Sequence, residues 1–439
     1  MSLNAFHSIV WGMTTREQIH SVKAGSVRLA VSSSEEREEL LSAIAERLSH
    51  DWDAIKAAND LDLAEANGHI APSVMARLAF TRQKLDASIA GVREVAKLPE
   101  PIGKVLEKRE LDEGFILKKI SVPLGVIGMI FEARPDALIQ IVSLCVKSGN
   151  GIILKGGSEA KHTNQVLADC IHTSARSTSI GDGWLLALSS REDVSVMLES
   201  EGDIDLIIPR GTNQFVRFVM DNTSIPVLGH ASGICNMYVD RQANQEMAIA
   251  CALDAKTNYP AACNSIETLL VHEEAAKSFI PAMVKAFHEK QVIVHGDSQV
   301  CSLAEGCVPF VDGDWDKEYL ALEINMHVVR SEEEAIAFIN THGSHHTDAI
   351  ITANPASAEQ FQSRVDSADV FVNCSTRFSD GYRYGLGAEV GVSTSKLHAR
   401  GPVGLSGLMT SKWLLSGHGE VVATYMGAGA KPFTHKELS

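Results

Sequence analysis

The sequence predicts an α/β protein with two parallel-sheet domains and a small β-ribbon. From residue 125 onward, short and continuously apolar runs alternate with helical segments, which is typical of parallel strands buried on both faces. The chain has 439 residues, more than one ordinary core supports, so two or three domains are expected. A pair of polar, strand-like runs around the turn DEG predicts a two-stranded ribbon at 103–122, which needs another surface to lie on.

The first hundred residues predict helices. Two possible capping-box pairs, Ser32 with Glu35 and Ser33 with Glu36, predict the start of a helix. The apolar side chains that follow fall on one helical stripe: Leu40, Leu41, Ile44, Leu48, Trp52 and Ile55.

The buried-strand runs then come in two groups. In the first group they are GVIGMIFE (125–132), GIILKGG (151–157), IDLIIPRG (204–211) and ICNMYVD (234–240). Between the first two runs, Pro135 suits the first position of a helix and Gly149 the position just past its end. After Cys263 the second group follows, with IETLLVH, a helix over 273–290, DAIIT and DVFVNCS.

Composition limits the possible partners. The net charge of −16 is spread along the chain and argues against nucleic acid or an anionic membrane. No apolar stretch is long enough for a membrane helix, and the start lacks the features of a secretory signal. The eight cysteines show no zinc-like or disulfide-framework spacing. We therefore expect a cytoplasmic protein with reduced thiols.

Several motifs remain ambiguous when taken alone. The stretch IILKGGSEA, with Lys155, Gly156, Gly157 and Ser158, is either a phosphate-binding strand end or a structural turn. The glycine string GLGAEVG at 385–391 favours a tight loop over a cofactor site.

Charged and reactive side chains are equally ambiguous. HGSHHTD at 342–348 favours substrate contacts or a solvated loop over a metal site, because carboxylate and cysteine partners at ligand spacing are missing nearby and three histidines within five residues cannot easily all face one ion. Arg377 and Arg134 are either anion ligands or members of surface ion pairs. Cys263 alone is more often a small buried hydrophobe than a nucleophile.

In order along the chain, these stretches resemble the gamma-glutamyl phosphate reductase family of the aldehyde dehydrogenase superfamily. The motifs that carry the resemblance are VPLGVIGMIFEARPDAL, SGNGIILKGGSEA, IDLIIPRGTNQFV, IPVLGHASGIC, NYPAACNSIETLLVH, THGSHHTDAI and RFSDGYRYGLGAEVGVST. The resemblance implies an aldehyde dehydrogenase-like fold. Its parts would be a cofactor-binding domain (1–102 and 123–257), a catalytic domain (258–398) and an oligomerisation ribbon with a C-terminal segment (103–122 and 409–439).

The resemblance also implies a reaction. NADPH would reduce L-glutamyl 5-phosphate to glutamate 5-semialdehyde in proline biosynthesis, through a thioester on Cys263. A thiol suits this chemistry because its thiolate is accessible near neutral pH. Lys155, Gly156, Gly157, Ser158, Gly211 and Thr212 would hold the cofactor, whereas Asn258, His346, Arg377 and Arg134 would contact the substrate. The backbone N–H of Cys263 is the expected oxyanion donor.

Three positions depart from the superfamily pattern. Val227 stands where oxidative aldehyde dehydrogenases carry a water-activating Glu, which favours a reductase. Ala133 stands at the place of an oxyanion-binding Asn, so the second oxyanion donor is unidentified. Ser158 stands where the superfamily carries an acidic residue that favours NAD. The loss of this carboxylate favours NADPH, although the adjacent Glu159 weakens the preference.

The alternatives are an oxidative NAD(P)-linked aldehyde dehydrogenase and a catalytically silent homologue that acts as a binding protein. A homo-oligomer is expected, and a transient contact with glutamate 5-kinase would protect the labile acyl phosphate.

Overall fold

The computed structural model of the protein describes residues 13–229, 232–311 and 313–438. Within these residues, two parallel sheets are flanked by helices, and the predicted two-stranded ribbon is confirmed as part of an antiparallel sheet. The α/β prediction is therefore confirmed. No helix in the described ranges is both long and apolar enough to cross a membrane.

Helices occupy the N-terminal region. They are α1 (Thr15–Ala30), α2 (Ser34–His50), α3 (Trp52–Ala66), α4 (Pro72–Leu78) and α5 (Arg82–Lys97). At the start of α2, Ser33 and Glu36 form the predicted capping box, whereas Ser32 bonds back to the carbonyl of Leu29. The predicted apolar stripe spans two helices, because the first helix ends before Asp51, which lies between α2 and α3.

The first parallel sheet has the strand order β5-β4-β3-β6. Its elements, with the helices between them, are β3 (Val126–Phe131), α6 (Pro135–Ser148), β4 (Gly151–Gly156), α7 (Lys161–Arg176), β5 (Leu185–Leu188), α8 (Glu192–Leu198), β6 (Leu206–Arg210) and α9 (Asn213–Asp221). Pro135 occupies the first turn of α6 as predicted, and Gly149 follows its end in a left-handed conformation. Every residue of β3 is buried, as expected for a strand covered on both faces.

The second parallel sheet has the strand order β10-β9-β11-β8-β7-β12-β13 in the described part of the chain. Its elements up to β10 are β7 (Cys235–Val239), α10 (Gln245–Thr257), β8 (Ile266–His272), α11 (Glu273–Glu289), β9 (Ile293–Gly296), α12 (Ser298–Leu303) and β10 (Val308–Pro309). The remaining elements are β11 (Glu323–Val329), α13 (Glu332–His342), β12 (Thr347–Ile351), α14 (Pro355–Arg364) and β13 (Asp369–Val372).

One strand departs from the sequence expectation. The run 234–240 was predicted to belong with the strands of the first domain, but β7 pairs with β8 and β12 in the second sheet. The second sheet therefore begins ahead of residue 258. An apolar run predicts a buried strand, but it does not specify which strands will be its neighbours.

The ribbon is built from distant parts of the chain. The hairpin of β1 (Val105–Asp112) and β2 (Phe115–Pro123) is extended by β16 (Met409–Ser416) on one side and β17 (Lys436–Glu437) on the other. Another antiparallel pair, β14 (Gly391–Ser393) and β15 (Gly401–Val403), precedes β16. β16 exposes a large part of three apolar side chains, Trp413, Leu414 and Leu415.

Candidate active site

Cys263 lies in the turn between α10 and β8. Backbone bonds from Ala262 to Tyr259 (3.1 Å) and from Ser265 to Ala262 (2.9 Å) shape this turn. The thiol of Cys235, the first residue of β7, donates a hydrogen bond to the Cys263 carbonyl at 3.2 Å. A Cβ on Gly233 would lie 2.6 Å from the Cα of Cys263, so only glycine fits against the turn. These contacts fix the backbone that carries the thiol.

A histidine completes the environment of this thiol. His346 stands just before β12, is fully buried, and shares a hydrogen bond with the Cys263 thiol. Its Nδ1 lies 2.8 Å from the Oγ1 of Thr347, which fixes the ring. Burial would raise the pKa of Cys263, but the hydrogen bond and charge of His346, helped by Arg210, outweigh burial and lower it. This environment favours a reactive thiolate.

The structure adds a contact to the expected role of His346. The sequence suggested His346 as a polar contact to substrate, yet its ring has no exposed surface and adjoins the sulfur. Its place is therefore beside the thiol. Proximity of a cysteine and a histidine that are 83 positions apart is a tertiary property, and no local pattern predicts it.

Arg377 lies in the short turn that follows β13. Its Nε is 3.4 Å from the Oδ1 of Asn258, and its guanidinium lies 5.9 Å from the ring centre of Tyr259. Burial, followed by the charge of Arg383, lowers the pKa of Arg377, while the charge of Cys263 opposes this shift. The structure thus brings Asn258 and Arg377 together near the thiol.

Two hydrogen bonds join the Arg377 turn to the cysteine turn. Asn264 donates its side-chain amide to the Ser379 carbonyl at 2.7 Å, and the Thr376 hydroxyl donates to the Asn264 carbonyl at 2.6 Å. The nucleophile candidate and the arginine are consequently held by one network.

The segment before α6 brings a second arginine to this region. Arg134 makes an ion pair with Asp136 at 3.1 Å, and its charge acts on Arg210. Ala133 has a left-handed backbone with φ 44°, and its N–H donates to the Glu159 carboxylate at 2.5 Å. At the place of the superfamily Asn, this chain therefore offers neither a side-chain donor nor a free N–H.

Arg210, which the sequence reasoning missed, ends β6 beside these groups. Its charge lowers the pKa of the Cys263 thiol. The signal was available, because Arg210 is an arginine at the carboxyl end of an apolar strand, the same feature that singled out Arg377.

A cleft lies at the carboxyl ends of β4 and β5. Gly156, Gly157, Leu188, Ser189 and Asn164 are among its lining residues. Both amide atoms of Asn164 are buried without a hydrogen-bond partner in the described ranges, so the cleft holds an unused polar group. A Cβ on Gly156 would lie 2.1 Å from that amide, which explains the glycine. The residues fit a ligand with polar edges.

Two other predicted cofactor residues, Lys155 and Ser158, lie on either side of the glycines that line this cleft. Lys155 is buried and donates to the Gly156 carbonyl at 2.6 Å; burial lowers its pKa, against the charges of Asp193 and Glu159. Ser158 is exposed and opens a single 3₁₀ turn, Ser158–Ala160.

Gly211 and Thr212 precede α9. The Thr212 hydroxyl caps this helix by accepting from the N–H of Phe215, and its own N–H bonds Glu132 at 3.3 Å. A Cβ on Gly211 would lie 2.7 Å from Glu132, so this turn leaves no room for a side chain. Backbone N–H groups at a helix start are suited to a pyrophosphate.

Val227 lies in an apolar setting. The Pro226 carbonyl accepts from the Ile207 N–H in β6, and the Leu228 N–H donates to the Ile207 carbonyl. The Val227 side chain packs against buried apolar residues that include Ile207. No carboxylate stands at this position to activate water.

The histidine-rich segment divides its rings among different contacts. His342 bonds Asp316 at 2.9 Å and His345 bonds the Asp366 carbonyl at 2.6 Å, whereas His346 serves the thiol. Residues 385–390 of the glycine string form a loop with left-handed Gly385 and Gly387, and Gly391 begins β14.

Comparison with known proteins places this geometry in a family. Residues 14–302 match the aldehyde dehydrogenase family. The gamma-glutamyl phosphate reductase of Synechococcus elongatus is 51% identical over 424 residues, which cover 96% of this chain and 97% of that protein. The chain belongs to the gamma-glutamyl phosphate reductase family. Another member, from Natronomonas pharaonis, is 47% identical over 431 residues, or 97% of this chain and 98% of that protein.

Solved structures agree with this family membership. The crystal structure of gamma-glutamyl phosphate reductase from Thermotoga maritima matches with a TM-score of 0.91 and 35% identity, over 93% of this chain and 99% of that chain. An acetylating aldehyde dehydrogenase from Geobacillus thermoglucosidasius shares the fold, with a TM-score of 0.64 and 14% identity over 93% of this chain and 97% of that chain. The predicted aldehyde dehydrogenase-like fold is confirmed. The chain is an oxidoreductase of a family that uses nicotinamide cofactors.

Proposed function

We propose that this gamma-glutamyl phosphate reductase family member reduces L-glutamyl 5-phosphate to L-glutamate 5-semialdehyde and phosphate, with NADPH as reductant and Cys263 as nucleophile. The observation that carries the proposal is a thiol of lowered pKa that is hydrogen-bonded to His346 and lies within the electrostatic reach of Arg210 and Arg377. An anionic acyl phosphate is the kind of substrate that such a site attracts.

The first step belongs to Cys263. Its thiolate attacks the acyl carbon, so an Sγ–C bond forms while the bond from that carbon to the phosphate oxygen breaks, and phosphate leaves with the electron pair. His346 supports the thiolate through its hydrogen bond. The N–H of Cys263, which has no backbone acceptor among the described residues, is available for the developing oxyanion.

Arg377, Asn258 and Arg134 are proposed as substrate ligands. Arg377 and Asn258 already form a preassembled polar pair next to the thiol. A guanidinium matches the α-carboxylate of a glutamyl group in planar geometry.

The cofactor would lie in the cleft at the ends of β4 and β5. When bound, the nicotinamide supplies the hydride that reduces the acyl group. Lys155, Gly156, Gly157 and Ser158 would hold the adenosine side, and the turn at Gly211 and Thr212 the pyrophosphate. Glu159 is turned toward Ala133, which reduces its conflict with a 2′-phosphate beside Ser158.

The apolar Val227 favours reduction over hydrolysis. Without a carboxylate at position 227 to activate water, the thioester persists until it is reduced. An oxidative aldehyde dehydrogenase would need such a base, so the reductase has the better support.

The proposal is tested in the reverse direction. The protein is mixed with pyrroline-5-carboxylate, the cyclised semialdehyde, and NADP, with and without inorganic phosphate, and NADPH formation is followed by absorbance. Cys263→Ala is the test variant and Cys301→Ala, a second partly buried thiol on α12, is the matched control.

We expect phosphate-dependent NADPH formation that is lost in Cys263→Ala and retained in Cys301→Ala. NADPH formed equally well without phosphate would mean that water resolves the thioester, and the oxidative function would replace this one. An inactive wild-type protein that binds no NADPH would favour the silent homologue.

We also propose that the ribbon mediates a homo-oligomer. A row of exposed apolar side chains on β16 is the kind of surface that a second subunit covers. Leu415→Glu should reduce the mass measured by sedimentation to that of a smaller species, while Lys412→Glu on the same strand is the control. An unchanged mass for Leu415→Glu would contradict this use of the strand.

A further inference from the structure

Arg210 reaches from the first sheet toward the thiol. Its carbonyl accepts a hydrogen bond from the Glu132 N–H at 3.0 Å, which anchors its backbone to the end of β3. A Cβ on Gly391 would lie only 3.1 Å from the Arg210 Nη1, so the guanidinium passes over a glycine at the start of β14. Burial, and then the charge of Arg134, lower the pKa of Arg210.

The charge of Arg210 has no direct counterion. No carboxylate lies within ion-pair distance of it in the part of the chain that the structure describes, although Glu389 and Asp136 act on it from farther away. Glu389 is already committed, because it accepts the Gly381 N–H at 2.7 Å. Arg210 is partly exposed at the end of β6, so this guanidinium can receive an anion from outside.

The other arginines of the site are engaged. Arg134 pairs with Asp136, and Arg377 contacts Asn258 and the ring of Tyr259. Arg377 uses only its Nε for Asn258 and Arg134 only one Nη for Asp136, whereas the Arg210 side chain makes no ion pair or hydrogen bond within the described residues. A guanidinium binds phosphate oxygens in a bidentate fashion.

Arg210 acts on Cys263 from the end of a strand of the first sheet. Val227 and Ala133 carry no charged side chain, and Glu389 and Asp136 act on Arg210 only from beyond ion-pair distance. The charge of Arg210 and that of Cys263 influence each other in both directions.

We propose that Arg210 is the phosphate-binding residue of the reaction centre. It binds the phosphoryl group of the acyl phosphate at Cys263, and in the reverse direction it binds the inorganic phosphate that attacks the thioester. In that reverse step a phosphate oxygen forms a bond to the acyl carbon, the C–Sγ bond breaks, and Cys263 recovers its thiolate. The inference rests on the proposed function and adds the residue that selects phosphate over water.

The experiment is phosphate saturation of the reverse reaction with pyrroline-5-carboxylate and NADP. Arg210→Gln removes the charge and the fork, and Arg210→Lys keeps the charge alone. Arg217→Gln, an exposed arginine one turn into α9, is the matched control. We expect the KM for phosphate to rise about 10- to 100-fold in Arg210→Gln, the loss of a charge-assisted hydrogen bond. The rise should be smaller in Arg210→Lys and absent in Arg217→Gln.

A binding measurement separates this role from a merely structural one. Inorganic phosphate should slow alkylation of Cys263 by iodoacetamide in the wild-type protein, and about 10- to 100-fold more phosphate should be needed in Arg210→Gln. Gly391→Ala keeps the arginine but places a methyl group against it, so it should weaken phosphate protection in the same direction.

The outcomes distinguish the two proposals. If the wild-type protein forms NADPH in a phosphate-dependent manner and the Arg210 variants keep its KM for phosphate, Arg210 is not the phosphate ligand, while the proposed function stands. If the wild-type protein shows no dependence on phosphate, the proposed function itself fails. A fall in kcat at unchanged KM and unchanged phosphate protection would also overturn the assignment.

Discussion

Beneath the cysteine turn, α10 and β8 bury a complete ion pair. Lys256 Nζ lies 2.8 Å from Glu267 Oε2, and the two side chains are 0% and 1% exposed. Burial raises the pKa of Glu267 to about 7, and the charge and hydrogen bond of Lys256 act in the opposite direction. Lys256→Met should therefore leave a buried carboxylate with no compensating charge.

The magnitude follows from that pKa. Raising the pKa of the Glu267 carboxyl from 4.5 to about 7 corresponds to a free-energy penalty of about 3 kcal/mol on its ionised form at 25 °C, with Lys256 still present. Removing one partner of a buried pair costs about 3–5 kcal/mol. We expect Lys256→Met to lower the free energy of unfolding by about 3–5 kcal/mol at pH 8.

The effect has a definite pH dependence. Because the pKa of Glu267 in the folded state is above its unfolded value, its favourable contribution is present at low pH and is lost as the pH rises through about 7. Without Lys256 the pKa rises further, so at pH 6 the carboxyl of the variant is protonated and neutral. The deficit of Lys256→Met should therefore shrink between pH 8 and pH 6.

Urea unfolding followed by circular dichroism at both pH values is the assay. Lys56→Met breaks an exposed pair with Asp60 and is the control; it should change the free energy of unfolding by less than about 1 kcal/mol. The double variant Lys256→Met, Glu267→Met should recover most of the stability, because it removes both charges. A Lys256→Met deficit that equals that of the control, or that is the same at pH 6 and pH 8, would refute the reasoning.

Three further predictions concern a helix start, a helix end and the thiol. Ser33→Ala removes the capping box of α2 and should lower the free energy of unfolding by about 1 kcal/mol in urea titrations; no change would mean that the cap is dispensable. Gly149→Ala forces a side chain to φ 75°, 2.7 Å from a methyl of Ile102, and should cost about 1–2 kcal/mol in the same assay, whereas a stabilised variant would show that the turn relaxes. His346→Gln should shift the pH midpoint of Cys263 alkylation upward, since a charge that lowers the thiol pKa is lost; an unchanged midpoint would contradict that role.

The strands of the fold were predictable because their chemistry is local. All seven predicted apolar runs lie on strands, namely β3, β4, β6, β7, β8, β12 and β13, and the helix expected at 273–290 is Glu273–Glu289. The break at Asp51 was not visible, because an aspartate between two helices, with no glycine or proline beside it, leaves the apolar stripe intact. The sheet that β7 joins was also hidden, since strand order depends on contacts between distant segments.

The site divides in the same way. Cys263 and Arg377 carry recognisable local signals, a thiol in a small-residue turn and an arginine after a strand. The hydrogen bond between His346 and Cys263, and the proximity of Arg210 to Cys263, involve residues far apart in sequence. Only the folded chain reveals them. The strand-end rule would have found Arg210 if it had been applied to every parallel strand.

The arginine at the end of β6 and the cysteine before β8 belong to different sheets. The thiol owes part of its acidity to a charge that its own sheet does not carry. In a refolding chain whose second sheet has formed but has not yet met the first, the cysteine lacks this charge. The alkylation rate of Cys263, followed through refolding, thus reports when the two halves of the molecule come together, without any added label.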